Sequence, residues 1–173
     1  MAERIIAGIE WLVEWTGRIV AWFTLAVVLI VCLVVVLRYF FGLGWASLQE
    51  FYVYLHASAF MLGAAYTLKH QGHVRVDVIY GHAGPRYRRR VDVLGSFLLL
   101  IPIMGWLFFT SLPFVADSWS RFEGSHQSGG LPGVFLLKTV IPLTCALLIL
   151  QGICLAYRAA TGSDDTTLES SDA

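Results

Sequence analysis

Four stretches of this 173-residue chain run for close to a bilayer-crossing length without one Asp, Glu, Lys or Arg: Ile19–Leu37 (19 residues), Phe51–Leu68 (18), Val93–Ala116 (24) and Thr139–Tyr157 (19). A hydrocarbon core about 30 Å thick is crossed by roughly 20 helical residues, so each run is long enough to span it. A water-soluble four-helix bundle would place polar residues at every third or fourth position to give each helix a wet face, and none of the runs does so. The 57% apolar and 14% charged residues, with a mean hydropathy of +0.69, lie well outside the ordinary soluble range. The chain is expected to be an all-α integral membrane protein. Its four transmembrane helices, at about 15–41, 47–69, 91–117 and 133–158, and some interfacial amphipathic segments would form one domain over 1–161. The acidic tail Gly162–Ala173 is nearly devoid of apolar residues and is expected to be disordered.

The first run is too long for a secretory signal core, and the small pair Gly44 and Ala46 lies too far along the chain for a cleavage site, so the run is read as a retained span. Cys32, Cys145 and Cys154 all fall within spans without CxxC spacing and read as small packing residues. With four spans, one side collects Arg4, Arg18, Lys69, Arg75, Arg86, Arg88, Arg89, Arg90 and Arg158, whereas the other has Arg38, Arg121 and Lys138. That bias places both termini in the cytoplasm.

The connection "KHQGHVRVDVIYGHAGPRYRRRVD", Lys69–Asp92, contains most of this positive charge. Pro85 suits the first turn of a helix, which would put Arg86, Arg88, Arg89 and Arg90 at the end where the helix dipole disfavours cations. Anionic phospholipid and the orientation rule both favour them there, at about 1 kcal/mol per cation near a charged surface. The loop is too short for a nucleic-acid module. His70, His73 and His82 form the competing metal reading, weakened by the absence of a Cys or carboxylate at a familiar ligand spacing. Val74, Val76, Val78 and Ile79 alternate with Arg75 and Asp77, as in a short interfacial segment.

Elsewhere, Ile5, Ile9, Leu12 and Thr16 mark the apolar face of an N-terminal amphipathic helix leading into the first span, with Glu14 and Arg18 as an i, i+4 pair. Ser47 and Glu50 match a capping box opening the second span; Glu50 is equally open to a role in partner contact. Pro102, Pro113 and Pro142 are expected to bend the third and fourth spans. The Gly- and Ser-rich connection Asp117–Pro132, with Trp119 and Phe122 embedded, reads as an ordered contact loop. Ala59 with Gly63, and Gly152 with Ala156, are candidate close-packing pairs.

Catalysis or ion-coupled transport inside a membrane calls for polar groups at depth. The run centres contain none that is charged, and His56 is the ionisable side chain within them. A ring hydrogen-bonded to a neighbouring helix explains it more simply than ligation. Bis-histidine haem ligation would need a second deep imidazole, so a membrane anchor of a redox enzyme is the weaker alternative. No repeated halves or paired interrupted helices mark a self-sufficient carrier. An accessory subunit, whose partner contains the pathway, fits best.

The span order, the opening of the second span at Trp45–Glu50, "FMLGAAYTLKHQGHVRVDV" (Phe60–Val78) and "SWSRFEGSHQSGGLPGVFLLKTVIPL" (Ser118–Leu143) together resemble the small membrane subunit of tripartite ATP-independent periplasmic (TRAP) transporters. The resemblance covers roughly Trp11–Tyr157, and His73-x-x-x-Asp77, Gly63-Ala64-Ala65 and Gly130-Leu131-Pro132 with Lys138 are its most telling pieces. It implies a scaffold in a bacterial or archaeal inner membrane, beside a large elevator-type subunit that takes up an organic acid with sodium. A periplasmic binding protein would deliver the acid and dock on the outer face, where Trp45, Glu50, Trp119, Arg121, Glu123 and Lys138 are the candidate contacts. The resemblance implies no cofactor in this chain and no enzymatic activity; sodium would bind in the large subunit. The outer-loop sequence is similar to the branch associated with mannitol, chloroaromatic or 2-oxo acid uptake.

Overall fold

The computed structural model describes residues 1–72 and 84–161. Helix α1 spans Ala2–Phe41, α2 Ala46–Lys69, α3 Pro85–Gly95, α4 Ile101–Ser120 and α5 Val134–Thr161. A single π-helical stretch, Ser96–Leu100, joins α3 to α4 through helical backbone, so the two form one rod. No strand occurs among the described residues. His73, His82, Asp77, the alternating segment between them and the acidic tail lie outside those residues.

The N-terminal amphipathic helix and the first span are one 40-residue rod, about 60 Å long at 1.5 Å per residue. It ends at Gly42, whose left-handed backbone (φ 66°) lets its own N–H and that of Leu43 return to the Leu37 carbonyl, satisfying the last turn. The face it buries differs from the expected one. Ile6, Val13, Gly17 and Val20 are buried, while Ile5 and Leu12 are 60% and 43% exposed and the Thr16 hydroxyl donates back to the Leu12 carbonyl. The two stripes have the same helical spacing and lie about a quarter turn apart. Gly17 distinguishes them, because a Cβ there would run into the Tyr66 ring of α2.

Val13, Ala65 and Leu147 form the small core where α1, α2 and α5 meet, with Ile9, Leu62, Tyr66 and Leu148 packed around it. Helix α5 is the centre of the molecule. α1 and α2 pack together on one side of it, and the α3–α4 rod packs on it as well. It buries Thr144, Cys145, Gln151, Gly152, Cys154 and Ala156. Of the candidate close-packing pairs, Gly152 and Ala156 serve as such: Ala156 is buried, and the missing side chain of Gly152 leaves the space occupied by Leu100 of the π stretch. Gly63 is looser, with Val20 3.9 Å from the position of an added Cβ. Cys145 and Cys154 are buried packing residues, and Cys32 is exposed.

Three helical segments are long and apolar enough to cross a membrane: Ala2–Phe41, Val93–Ser120 and Val134–Thr161. α2 has the length, at 24 residues, but not the apolarity. The absence of charge in Phe51–Leu68 conceals Tyr52, Tyr54, His56, Ser58, Tyr66 and Thr67, which dilute its hydropathy. Pro85 opens α3, as its fixed φ and missing N–H favour. Pro102 cannot donate to the carbonyl four residues back, and the wider π coil occupies the turn just before it. α4 and α5 remain helical through Pro113 and Pro142.

Candidate functional site

Charged side chains cluster at the two ends of the bundle. At the end formed by the start of α2, the end of α4 and the start of α5, the connection between α4 and α5 folds into a compact loop. Its backbone is fixed by Glu123 N–H to the Ser118 carbonyl (3.0 Å), Ser125 N–H to Leu131 (2.9 Å) and Val134 N–H to Glu123 (3.1 Å). Phe122 (φ 44°) and Gly129 (φ 75°) take the left-handed backbone that the reversals require.

Glu50 fastens this loop to α2. One carboxylate oxygen accepts from the Leu131 N–H at 2.7 Å and the other from the Ser125 hydroxyl, whose oxygen also accepts from the Gln127 N–H. The capping-box expectation therefore fails. Trp45, in extended conformation, is the N-cap without a side-chain bond; Ser47 already lies inside the helix, and the Glu50 carboxylate turns to donors on the loop. Gly130 is what allows the approach, since a Cβ there would meet the Ser125 side chain and lie 2.8 Å from Glu50 Oε2.

Beside it, Lys138 Nζ donates to Glu123 Oε2 at 2.5 Å and sits 4.0 Å from the centre of the Phe114 ring. The Lys138 hydrogen bond holds the Glu123 carboxyl below the usual carboxylate range. Trp119 Nε1 donates to Thr139 Oγ1 at 2.9 Å, and the Trp119 and Phe122 rings meet Phe135 edge-on, with centroids 4.6 Å and 5.9 Å away. Arg121 pairs with Asp117 one helical turn back, both well exposed, and Trp45 is exposed too. Glu50, Trp119, Glu123 and Lys138 are thus brought together as the frame of one loop, leaving Trp45 and Arg121 on its surface. Glu50 and Lys138 do not pair with each other. Gly130, marked in the sequence as part of Gly130-Leu131-Pro132, completes the frame together with Ser125, Phe114 and Thr139, which no sequence signal singled out.

At the opposite end, Arg158 of α5 donates twice to Glu10 of α1, at 2.5 Å to each oxygen. Glu14 accepts from Lys69 at 2.7 Å, is joined to His70 Nε2 at 3.0 Å and takes the expected bond from Arg18 at 3.1 Å. Lys69 also reaches the Glu10 carbonyl at 3.2 Å. These contacts, Lys69 first and His70 next, lower the Glu14 carboxyl to about 2. His70 is thus engaged with a carboxylate, and no group of three metal-ligating side chains exists among the described residues. α3 places Arg86, Arg88, Arg89 and Arg90 in its first six residues, with Arg90 exposed.

Among the described residues, the buried polar side chains are Ser96, Ser111, Ser118, Thr144 and Gln151, none of them charged. His56 is exposed on α2, and no hydrogen bond joins it to a neighbouring helix among the described residues, so that expectation fails.

The family model described as tripartite ATP-independent periplasmic transporters, DctQ component, matches residues 27–162. The chain belongs to this family of TRAP small subunits. No curated protein and no solved structure matches it. The family consists of transporter components that work in a three-part complex with a large membrane subunit and a periplasmic binding protein. The match includes the Glu50 loop frame and Arg158, whereas Glu10 and Glu14 precede it.

Proposed function

We propose that this TRAP small subunit is the stationary scaffold of its transporter. It stands beside a large elevator-type subunit that carries an organic acid, a carboxylate, inward with sodium. The distribution of charge carries this reading: carboxylates and cations lie at the two ends, tying helices to one another, and the middle of the bundle contains none. Such a body can brace a moving neighbour and has nothing with which to move a solute itself.

In this reading α2 crosses with the other three rods, its less apolar surface covered by protein. Both termini and the arginines of α3 face the cytoplasm, and the Glu50 loop faces the periplasm of a bacterial or archaeal inner membrane. There Trp45, Arg121 and Phe122 are the exposed groups offered to the incoming binding protein, while Glu50, Trp119, Glu123 and Lys138 hold the loop in shape. Arg86, Arg88, Arg89 and Arg90 contact phospholipid headgroups, and the sodium site belongs to the large subunit.

Purification of the tagged chain from native membranes in mild detergent is expected to bring down a much larger polytopic protein. Sodium-dependent uptake of a carboxylate into proteoliposomes is expected only when both membrane subunits and the binding protein are present. Recovery of the chain alone, or uptake by the chain alone, would refute the proposal.

A further inference from the structure

His56 is preceded by ten residues of α2 and followed by thirteen. At 1.5 Å per residue it stands about 15 Å and 20 Å from the helix ends, which is mid-depth in a slab about 30 Å thick. It shares one helical row with Val53 and Phe60, at spacings of three and four. All three side chains are exposed, and Phe60 is 78% so. No hydrogen-bonding group among the described residues meets either ring nitrogen. Ionisable side chains at this depth face a bundle interior, a wet cavity or a partner, because an unpaired donor in hydrocarbon is costly. The other outward faces suit lipid: Leu25, Val28 and Leu29 on α1, and Trp106 and Phe109 on α4.

We propose that the Val53–His56–Phe60 row is the mid-membrane seat for a helix of the large subunit, and that this helix presents a hydrogen-bonding side chain or a freed backbone carbonyl to the His56 ring. The inference rests on the scaffold reading above, in which α2 crosses the bilayer. It explains why α2 alone among the long helices falls short of the apolarity that lipid favours. The occupant follows from the family match, whose members work with a large membrane subunit; a second copy of this chain is an outcome that the test below separates from it.

The test uses the co-expressed complex, with a tag on this chain and the photoreactive benzoyl-phenylalanine placed at Phe60, or at Phe109 as an equally exposed aromatic control (71%). Irradiation in membranes is expected to join the chain to the large subunit from position 60 and to lipid from position 109. Lipid adducts, or a dimer of this chain, from position 60 in a complex that still co-purifies would overturn the face assignment and leave the scaffold reading standing. Absence of a large partner from the unirradiated pull-down would sink both. Independently, His56→Leu should lower recovery of the large subunit roughly three- to tenfold after mild detergent, with His56→Gln closer to wild type, as expected for one intramembrane hydrogen bond. Undiminished recovery with His56→Leu would contradict the proposal.

Discussion

Two glycines set contacts that larger residues would dominate in a water-soluble protein. Gly17 admits the Tyr66 ring against α1, and Gly130 admits the Glu50 carboxylate against its loop. Alanine at either position must displace packed atoms, so Gly17→Ala and Gly130→Ala are each expected to destabilise the protein by about 1–3 kcal/mol, measured as a lower unfolding midpoint in detergent. Only Gly130→Ala should also expose the loop to protease. The Glu14–Arg18 pair was legible because i, i+4 spacing predicts it on any helix. The Glu10–Arg158 and Glu50–Leu131 contacts join residues far apart in sequence, and no local pattern announces them. Ser47 illustrates the converse: a capping signature loses its meaning when the helix begins before the serine and the glutamate has better donors across the bundle.

Length and Pro85 foretold where helices form, since each acts within one segment, whereas apolarity marks three membrane-crossing segments and leaves α2 short. The phase of α1 could not be told from its spacing, because Ile5–Ile9–Leu12–Thr16 and Ile6–Val13–Gly17–Val20 are equally periodic; contact with α2 chooses between them. The joints between elements give a pH prediction. Glu14, on the N-terminal side of the uncharged run, has its carboxyl lowered from 4.5 to about 2 by Lys69 and His70. A lowered carboxyl stabilises the fold while ionised; that contribution is complete above the unfolded value of 4.5 and is lost as pH falls toward 2. Glu123, lowered by Lys138, acts in the same direction. The unfolding midpoint should therefore decline through this acid window, and Glu14→Gln should flatten the decline while lowering the plateau above it. An unchanged profile in the variant would show that the α1–α2 joint does not depend on this carboxylate.

For the molecule as a whole, charges at the two ends tie the helices together, and in the proposed topology they also set the orientation. Arg86, Arg88, Arg89 and Arg90 changed together to Gln should leave a fraction of molecules inverted or poorly retained. A single cysteine at Leu43, in a variant lacking Cys32, Cys145 and Cys154, checks this: impermeant maleimide should label it from outside in the parent and partly from inside in the quadruple variant. The uncharged runs already separated a membrane bundle from a soluble one, and the resemblance in Phe60–Val78 and Ser118–Leu143 pointed to the transporter component that the family match shows. The sequence could not tell that α5 is central or that α2 has an outward imidazole row. Those depend on which apolar surfaces meet, and in a lipid-soluble protein inward and outward residues look alike.

The π stretch at Ser96–Leu100 has a further consequence. A wide coil takes up one residue more than an ordinary turn while still making a single turn, so α3 keeps its facing relative to α4. Adding one residue of ordinary α-helix there would instead swing the arginine-bearing collar by about 100° relative to the shaft. Either the collar would turn from the side it now holds or Leu100 would leave its notch at Gly152.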